Sequence, residues 1–120
     1  MYPRWLAMSN RHDERLAGAR RRIVDQLGQD RWALPGSFVT RMMRCGKANC
    51  RCKHDPPQLH GPYLQWTRTV EGKTVTKLLT RQQAERYQAW IDSARQLRQL
   101  LTELENLSVL AVQHAEDWGP

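Results

Sequence analysis

No apolar run in the 120 residues of this chain approaches the roughly 20 residues that a membrane-spanning helix needs. The start, Met1-Tyr2-Pro3-Arg4-Trp5-Leu6-Ala7-Met8, holds no apolar core long enough for a signal peptide. A cytoplasmic protein with no membrane partner is therefore expected. Signatures of catalysis are missing too: there is no His-Glu-x-x-His, no Gly-rich phosphate loop and no nucleophile elbow. Nor is there the His-x-Glu with Pro-Cys-x-x-Cys of nucleobase deaminases. His12 and His114 read as lone histidines at exposed helix positions, without a neighbour to tune them. The chain is expected not to be an enzyme and to take no small-molecule substrate.

Acidic residues are also scarce where basic ones gather. Residues 1 to 80 hold 15 basic and 6 acidic side chains, a balance of +9, whereas residues 81 to 120 hold 4 and 6, or −2, which together make the net +7. The excess points to a polyanion beside the first part of the chain and to a different task for the tail.

The length suits one domain, residues 1–120. Residues 9–29 read as a helix, with Ser9 or Asn10 as cap, Asp13 and Glu14 in the first turn, and Leu16, Ala19, Ile23 and Leu27 at helical spacing. Residues 37–80 read as a small meander. Phe38 to Arg44 alternates as a strand and runs into Cys45, Tyr63 to Val70 forms the second, and Glu71-Gly72 turns the chain into Lys73 to Leu79. Thr80 and Gln83 have capping-box spacing, so a long helix is predicted over 81–115. Its seam runs through Tyr87, Trp90, Ala94, Leu97, Leu101 and Leu104, broadened by Ile91, Leu100 and Leu107. Some 30 residues make about 45 Å of helix, more than a three-stranded sheet can cover. Its second half needs either the N-terminal helix or a second copy, and a homodimer through this helix is expected. The fold class is α+β: an N-terminal helix, a three-stranded antiparallel meander with a metal knuckle, and a long C-terminal helix.

Between the first two strands lie three cysteines within eight residues, in Cys45-Gly46-Lys47-Ala48-Asn49-Cys50-Arg51-Cys52, followed by His54 and His60. An odd count in a reducing compartment argues against disulfides. Clustered thiolates with nearby imidazole suit a zinc ion, Zn(2+). In extended backbone, Cys50 and Cys52 point to one side, and Gly46 supplies freedom for the turn that brings Cys45 to them. The fourth ligand is His54 or His60. His60 is preferred, because a ligand from a separate segment ties the loop to the hairpin. A set of Cys45, Cys50, Cys52 and His60 leaves no open coordination position and argues for structure rather than catalysis.

The Leu-Pro-Gly-Ser opening at Leu34 to Ser37, the Cys-Gly-Lys-x-x-Cys-x-Cys core and the His-Gly-Pro-Tyr segment at His60 to Tyr63 resemble a bacterial family of small proteins of unknown function. The resemblance spans roughly Pro35 to Leu107 and leaves the N-terminal helix outside. It implies genes set near mobile elements, hence a hint of DNA, and its His-Gly-Pro-Tyr histidine falls at His60.

Charge then suggests the function. Arg41, Arg44, Lys47, Arg51, Lys53, Arg68, Lys73 and Lys77 surround the knuckle and the hairpin and can neutralise phosphates. The expected function is nucleic-acid binding, DNA before RNA, by an accessory protein with a structural zinc site. The alternative is a protein–protein adaptor in which zinc is only a staple. Tyr63 or Trp66 can stack on a base, although Trp66, alternating with Leu64, reads first as core.

Overall fold

The computed structural model of the chain describes residues 10–119. Its elements are α1 (Asn10–Leu27), β1 (Ser37–Met43), β2 (His60–Val70), β3 (Lys73–Leu79) and α2 (Arg81–Glu116), with a 3-10 turn at Arg51–Lys53 between β1 and β2. The strands form one antiparallel sheet of order β1-β2-β3. The fold is thus α+β, in the predicted order. Helix α1 begins at Asn10; the other candidate cap, Ser9, lies outside the described residues. No described helix is long and apolar enough to cross a membrane.

The chain gathers into two compact units, one made of residues up to Arg31 together with residues from Arg95 onward, the other of Trp32–Ala94. In the first unit, α1 runs antiparallel to the later part of α2. The start of one meets the end of the other through His12 and His114, whose rings lie 3.8 Å apart. At the opposite end the Arg31 guanidinium donates to Gln96 Oε1 at 2.7 Å and also to the Gln26 carbonyl. The two histidines are therefore half-buried against each other rather than lone surface residues. Their sequence separation hid the pairing, which only the antiparallel hairpin creates.

Along α2 the buried positions are Ile91, Ala94, Leu100 and Ala115, and Leu97, Leu104 and Leu107 are half-buried. Leu101, placed on the predicted seam, is 52% exposed, while Leu100 beside it is buried. The other seam positions, Tyr87, Trp90, Ala94, Leu97 and Leu104, are buried or half-buried, so the predicted face fails at Leu101 alone. Complete burial of Ile91 contributes about 1.5–3 kcal/mol by itself.

Both ends of α2 are closed as its sequence demands. Thr80 Oγ1 accepts from the Gln83 N–H at 3.1 Å, and Gln83 Oε1 accepts from the Thr80 N–H at 2.9 Å, completing the capping box. At the far end Asp117 adopts φ 59°, and the Trp118 N–H reaches back to the Gln113 carbonyl at 2.9 Å. That six-to-one bond across a left-handed residue is a Schellman closure.

In the second unit, β2 is the central strand. It pairs with β1 from Ser37↔Thr67 to Arg41↔Tyr63, and with β3 from Leu64↔Leu79 to Val70↔Lys73. Pairing puts Trp66, Arg68, Lys73 and Lys77 on one face and Arg41, Tyr63 and Gln65 on the other. Helix α2 meets the segment before β1, where the Leu34 N–H donates to the Trp90 carbonyl at 2.9 Å.

The β2–β3 hairpin turns on two residues with φ > 0, Glu71 at 51° and Gly72 at 80°, the type I′ geometry that matches strand twist. A glutamate in the left-handed region is strained, whereas asparagine tolerates it. The variant Glu71→Asn is expected to raise stability by about 0.5–1 kcal/mol, read as a higher denaturation midpoint with an unchanged slope.

Candidate metal centre

The β1–β2 register builds the site. Pairing passes from Arg41↔Tyr63 to Met43↔His60, advancing two residues on β1 and three on β2, so a bulge falls at Gly61-Pro62. Gly61 has φ 129°, and a Cβ there would sit 2.8 Å from the Arg41 carbonyl oxygen and 3.0 Å from Met42 Sδ. Only glycine lets the two strands approach so closely at this bend. The bulge resets the pairing and leaves His60 opposite Met43, two residues before Cys45.

The loop after β1 is held by its own backbone. The Cys50 N–H donates to the Lys47 carbonyl at 3.4 Å, the Lys53 N–H to Cys50 at 2.9 Å, and the His54 and Gln58 N–H groups both to Arg51 at 3.1 Å. Cys50 is extended, with φ −79° and ψ 147°, and Cys52 lies inside the 3-10 turn. The two cysteines are brought together by this turn and not by the extended alternation expected from their spacing. Gly46 is not needed for its freedom either. Its φ is not positive, and an added Cβ would meet nothing within 4 Å.

One donor atom from each of Cys45, Cys50, Cys52 and His60 lies within 4.8 Å of all the others, an arrangement that can hold a metal ion. Cys45 and Cys52 sulfurs are 3.6 Å apart, and Cys50 Sγ is 3.0 Å from His60 Nε2. A metal–sulfur distance of about 2.3 Å implies a tetrahedron edge of about 3.8 Å, so the sulfur pair already has the required separation. His54 is exposed and stands outside the group.

The electrostatics favour a thiolate at one position. The Cys45 N–H donates to Cys52 Sγ at 3.3 Å and stabilises its negative charge; with smaller help from the other three donors, this outweighs burial and brings the Cys52 thiol down to about 6. The Lys47 backbone pulls the Cys45 thiol down, yet Cys50, burial and Cys52 outweigh it and the net shift is upward. A cation entering here meets one thiolate formed at neutral pH, Cys52, and displaces a proton from Cys45. Cys52 is completely buried, and between residues 37 and 80 the other buried side chain is Gln65, whose Nε2 donates to Met43 Sδ at 3.6 Å. Within residues 37–80 the deepest burial is thus of groups able to hold a metal ion, while the buried hydrocarbon of the same unit, Ile91 and Ala94, is on α2.

Residues 13–89 match the family described as a domain of unknown function, DUF6788. The chain belongs to the DUF6788 family. No curated protein and no solved structure matches it. The DUF6788 match begins at Asp13 and takes in nearly all of α1, so the N-terminal helix lies inside the family's extent. It stops at Ala89, leaving the later part of α2 beyond it.

Around the candidate metal-binding group, Arg44 and Lys47 flank Cys45, and Arg51 and Lys53 flank Cys52. Arg68, Lys73 and Lys77 share the Trp66 face of the sheet, whereas Arg41 is on the opposite face. The eight cations form no single plane. The sequence reading passed over Trp32, which stacks on Trp90; the adjacency of Arg31 to Trp32 and of Arg86 to Tyr87 was the available signal.

Changing His60→Ala is expected to bring metal below one ion per chain after dialysis against a mild chelator and to lower the melting temperature by roughly 10 °C. His54→Ala should retain the metal and the melting temperature. Elemental analysis with thermal denaturation checks both, and loss of metal in the His54 variant alone would reassign the ligand.

Proposed function

We propose that this DUF6788 chain is a non-enzymatic nucleic-acid-binding module whose small sheet is stapled by zinc. The observation that carries the reading is the state of its cations. All of Arg41, Arg44, Lys47, Arg51, Lys53, Arg68, Lys73 and Lys77 are exposed, and among the described residues the one salt bridge is Arg81–Glu85. Residues 37–80 hold only Asp55 and Glu71 as acids against these eight. Unneutralised cations at this density repel one another, and a polyanion relieves that repulsion while releasing its own counterions. Distribution over both sheet faces and the knuckle suits contact with a backbone more than base readout, and DNA is the first polymer to test.

Zinc is the metal this reading assigns, because three thiolates and an imidazole are a closed tetrahedral set for it. The ion supplies cross-linking energy to the fold, with no step of chemistry at the sulfurs. A reducing cytosol, where the thiols stay free, is the compartment that fits.

Affinity for labelled DNA should fall linearly with salt on a log–log plot, by about 0.9 per phosphate contacted. The triple variant Lys47→Ala, Arg51→Ala, Lys53→Ala should flatten that slope by about 3 without loss of zinc. Unchanged mobility of DNA and RNA at low salt with stoichiometric protein would sink the reading.

A second reading concerns the helical unit, and one observation favours it. A groove of about 560 Å³ lies between α1 and α2, lined by Leu16, Leu104, Leu107 and Val112 and rimmed by Asp13, Arg20 and Glu116. Exposed Val109 and Leu110 lie on α2 in the same stretch. We propose that a second copy covers it in a four-helix arrangement, since a two-fold partner brings an arginine rim against acidic ones. Light scattering should give twice the monomer mass, and Val112→Glu should return it to one without loss of helix signal. A monomer at every concentration would remove this reading.

A further inference from the structure

Charge alone leaves the most conspicuous aromatic group without a use. Trp32 is 70% exposed, more than any other large apolar residue among those described. Its position is nevertheless defined. One face stacks on Trp90, with centroids 5.4 Å apart and planes 23° apart, and Tyr87 meets Trp90 edge-on at 5.0 Å. The Leu34 N–H donates to the Trp90 carbonyl two residues further along, tying the chain after Trp32 to the same helical turn. An indole ordered in this way has already lost most of its freedom and still offers an uncovered ring face to solvent.

A second aromatic group hangs on the same short segment. Trp66 donates through Nε1–H to the Pro35 carbonyl at 2.8 Å, and Pro35 directly follows Leu34. Each group carries its own guanidinium: Arg68 lies 4.9 Å over the Trp66 ring and Arg86 5.8 Å from the Tyr87 ring. Tryptophan faces interleaved with arginines are what an unpaired strand needs, because bases stack on the rings whatever their sequence while the cations meet the phosphates. In a duplex the base faces are covered by their neighbours. A proline-rich peptide also docks on aromatic grooves, but it gives no use to the flanking arginines.

We propose that Trp32, stacked on Trp90 beside Tyr87, the ring that Arg86 approaches, is a platform for an unpaired base. The chain then takes single-stranded nucleic acid in preference to duplex. This rests on the nucleic-acid reading above and adds the form of the polymer to it.

The test uses the zinc-loaded full chain and one mixed-sequence oligonucleotide, offered as labelled single strand and as duplex, with an RNA of the same sequence as a further probe. Wild type should bind the single strand more tightly. Trp32→Ala should lose roughly 5- to 150-fold in single-strand affinity and none for duplex, with zinc content and circular dichroism unchanged. Trp32→Phe should keep most of the affinity while losing the tryptophan quenching that accompanies binding in wild type, a readout that holds even if the alanine variant fails to fold. Single-strand affinity unaltered in Trp32→Ala, full quenching in Trp32→Phe, or a wild-type preference for duplex would overturn the platform and leave the charge-based reading standing. Binding of a proline-rich peptide at Trp32 with no binding of either polymer would overturn both.

Discussion

The convergence of Cys45, Cys50, Cys52 and His60 is the constraint on which the sheet unit depends. Between residues 37 and 80 the buried side chains are a cysteine and a glutamine, so the hydrocarbon burial that usually holds a sheet is almost absent there. A set of donor atoms all within 4.8 Å of one another takes that place. The three sulfurs come from one loop and the imidazole from β2, so an ion bound to them joins the loop to the central strand, and the energy of binding becomes energy of folding.

Several features that look unrelated serve this convergence. The bulge at Gly61-Pro62 resets the β1–β2 register and sets His60 opposite Met43, two residues before Cys45. Backbone hydrogen bonds to the Arg51 carbonyl fold the loop so that Cys52 turns inward and receives the Cys45 N–H. Lowering of the Cys52 thiol to about 6 follows from that donated N–H, and it prepares the site for a cation before any cation arrives. The same economy leaves arginines and lysines at the surface, since a loop gathered around four polar donors has no apolar interior in which to bury their stems.

Two sorts of surface result. The sheet unit presents exposed cations and a tryptophan ordered by stacking, both suited to a flexible polyanion. The helical unit presents an apolar groove between two antiparallel helices, suited to another helix pair. The acidic balance of residues 81 to 120 differs from the basic balance of the sheet strands and knuckle.

By itself the sequence determined whatever depends on short-range pattern. The two helices, the hairpin at Glu71-Gly72, the capping box of Thr80 and Gln83, and the meander order all follow from periodicity and turn chemistry within a few residues. The spacing of the Cys-rich loop alone pointed to a group of donors able to hold a metal ion. Tertiary structure decided what depends on register and on chain reversal. His60, preferred over His54 already on sequence, stands among the sulfurs, and the bulge that carries it there is what no periodicity reveals. A 3-10 turn, not extended alternation, brought Cys50 and Cys52 together. An antiparallel hairpin joined His12 to His114 across most of the chain, and packing left Leu101 exposed while burying Leu100 beside it. Each depends on register, local turn geometry or chain reversal, which only the folded backbone fixes.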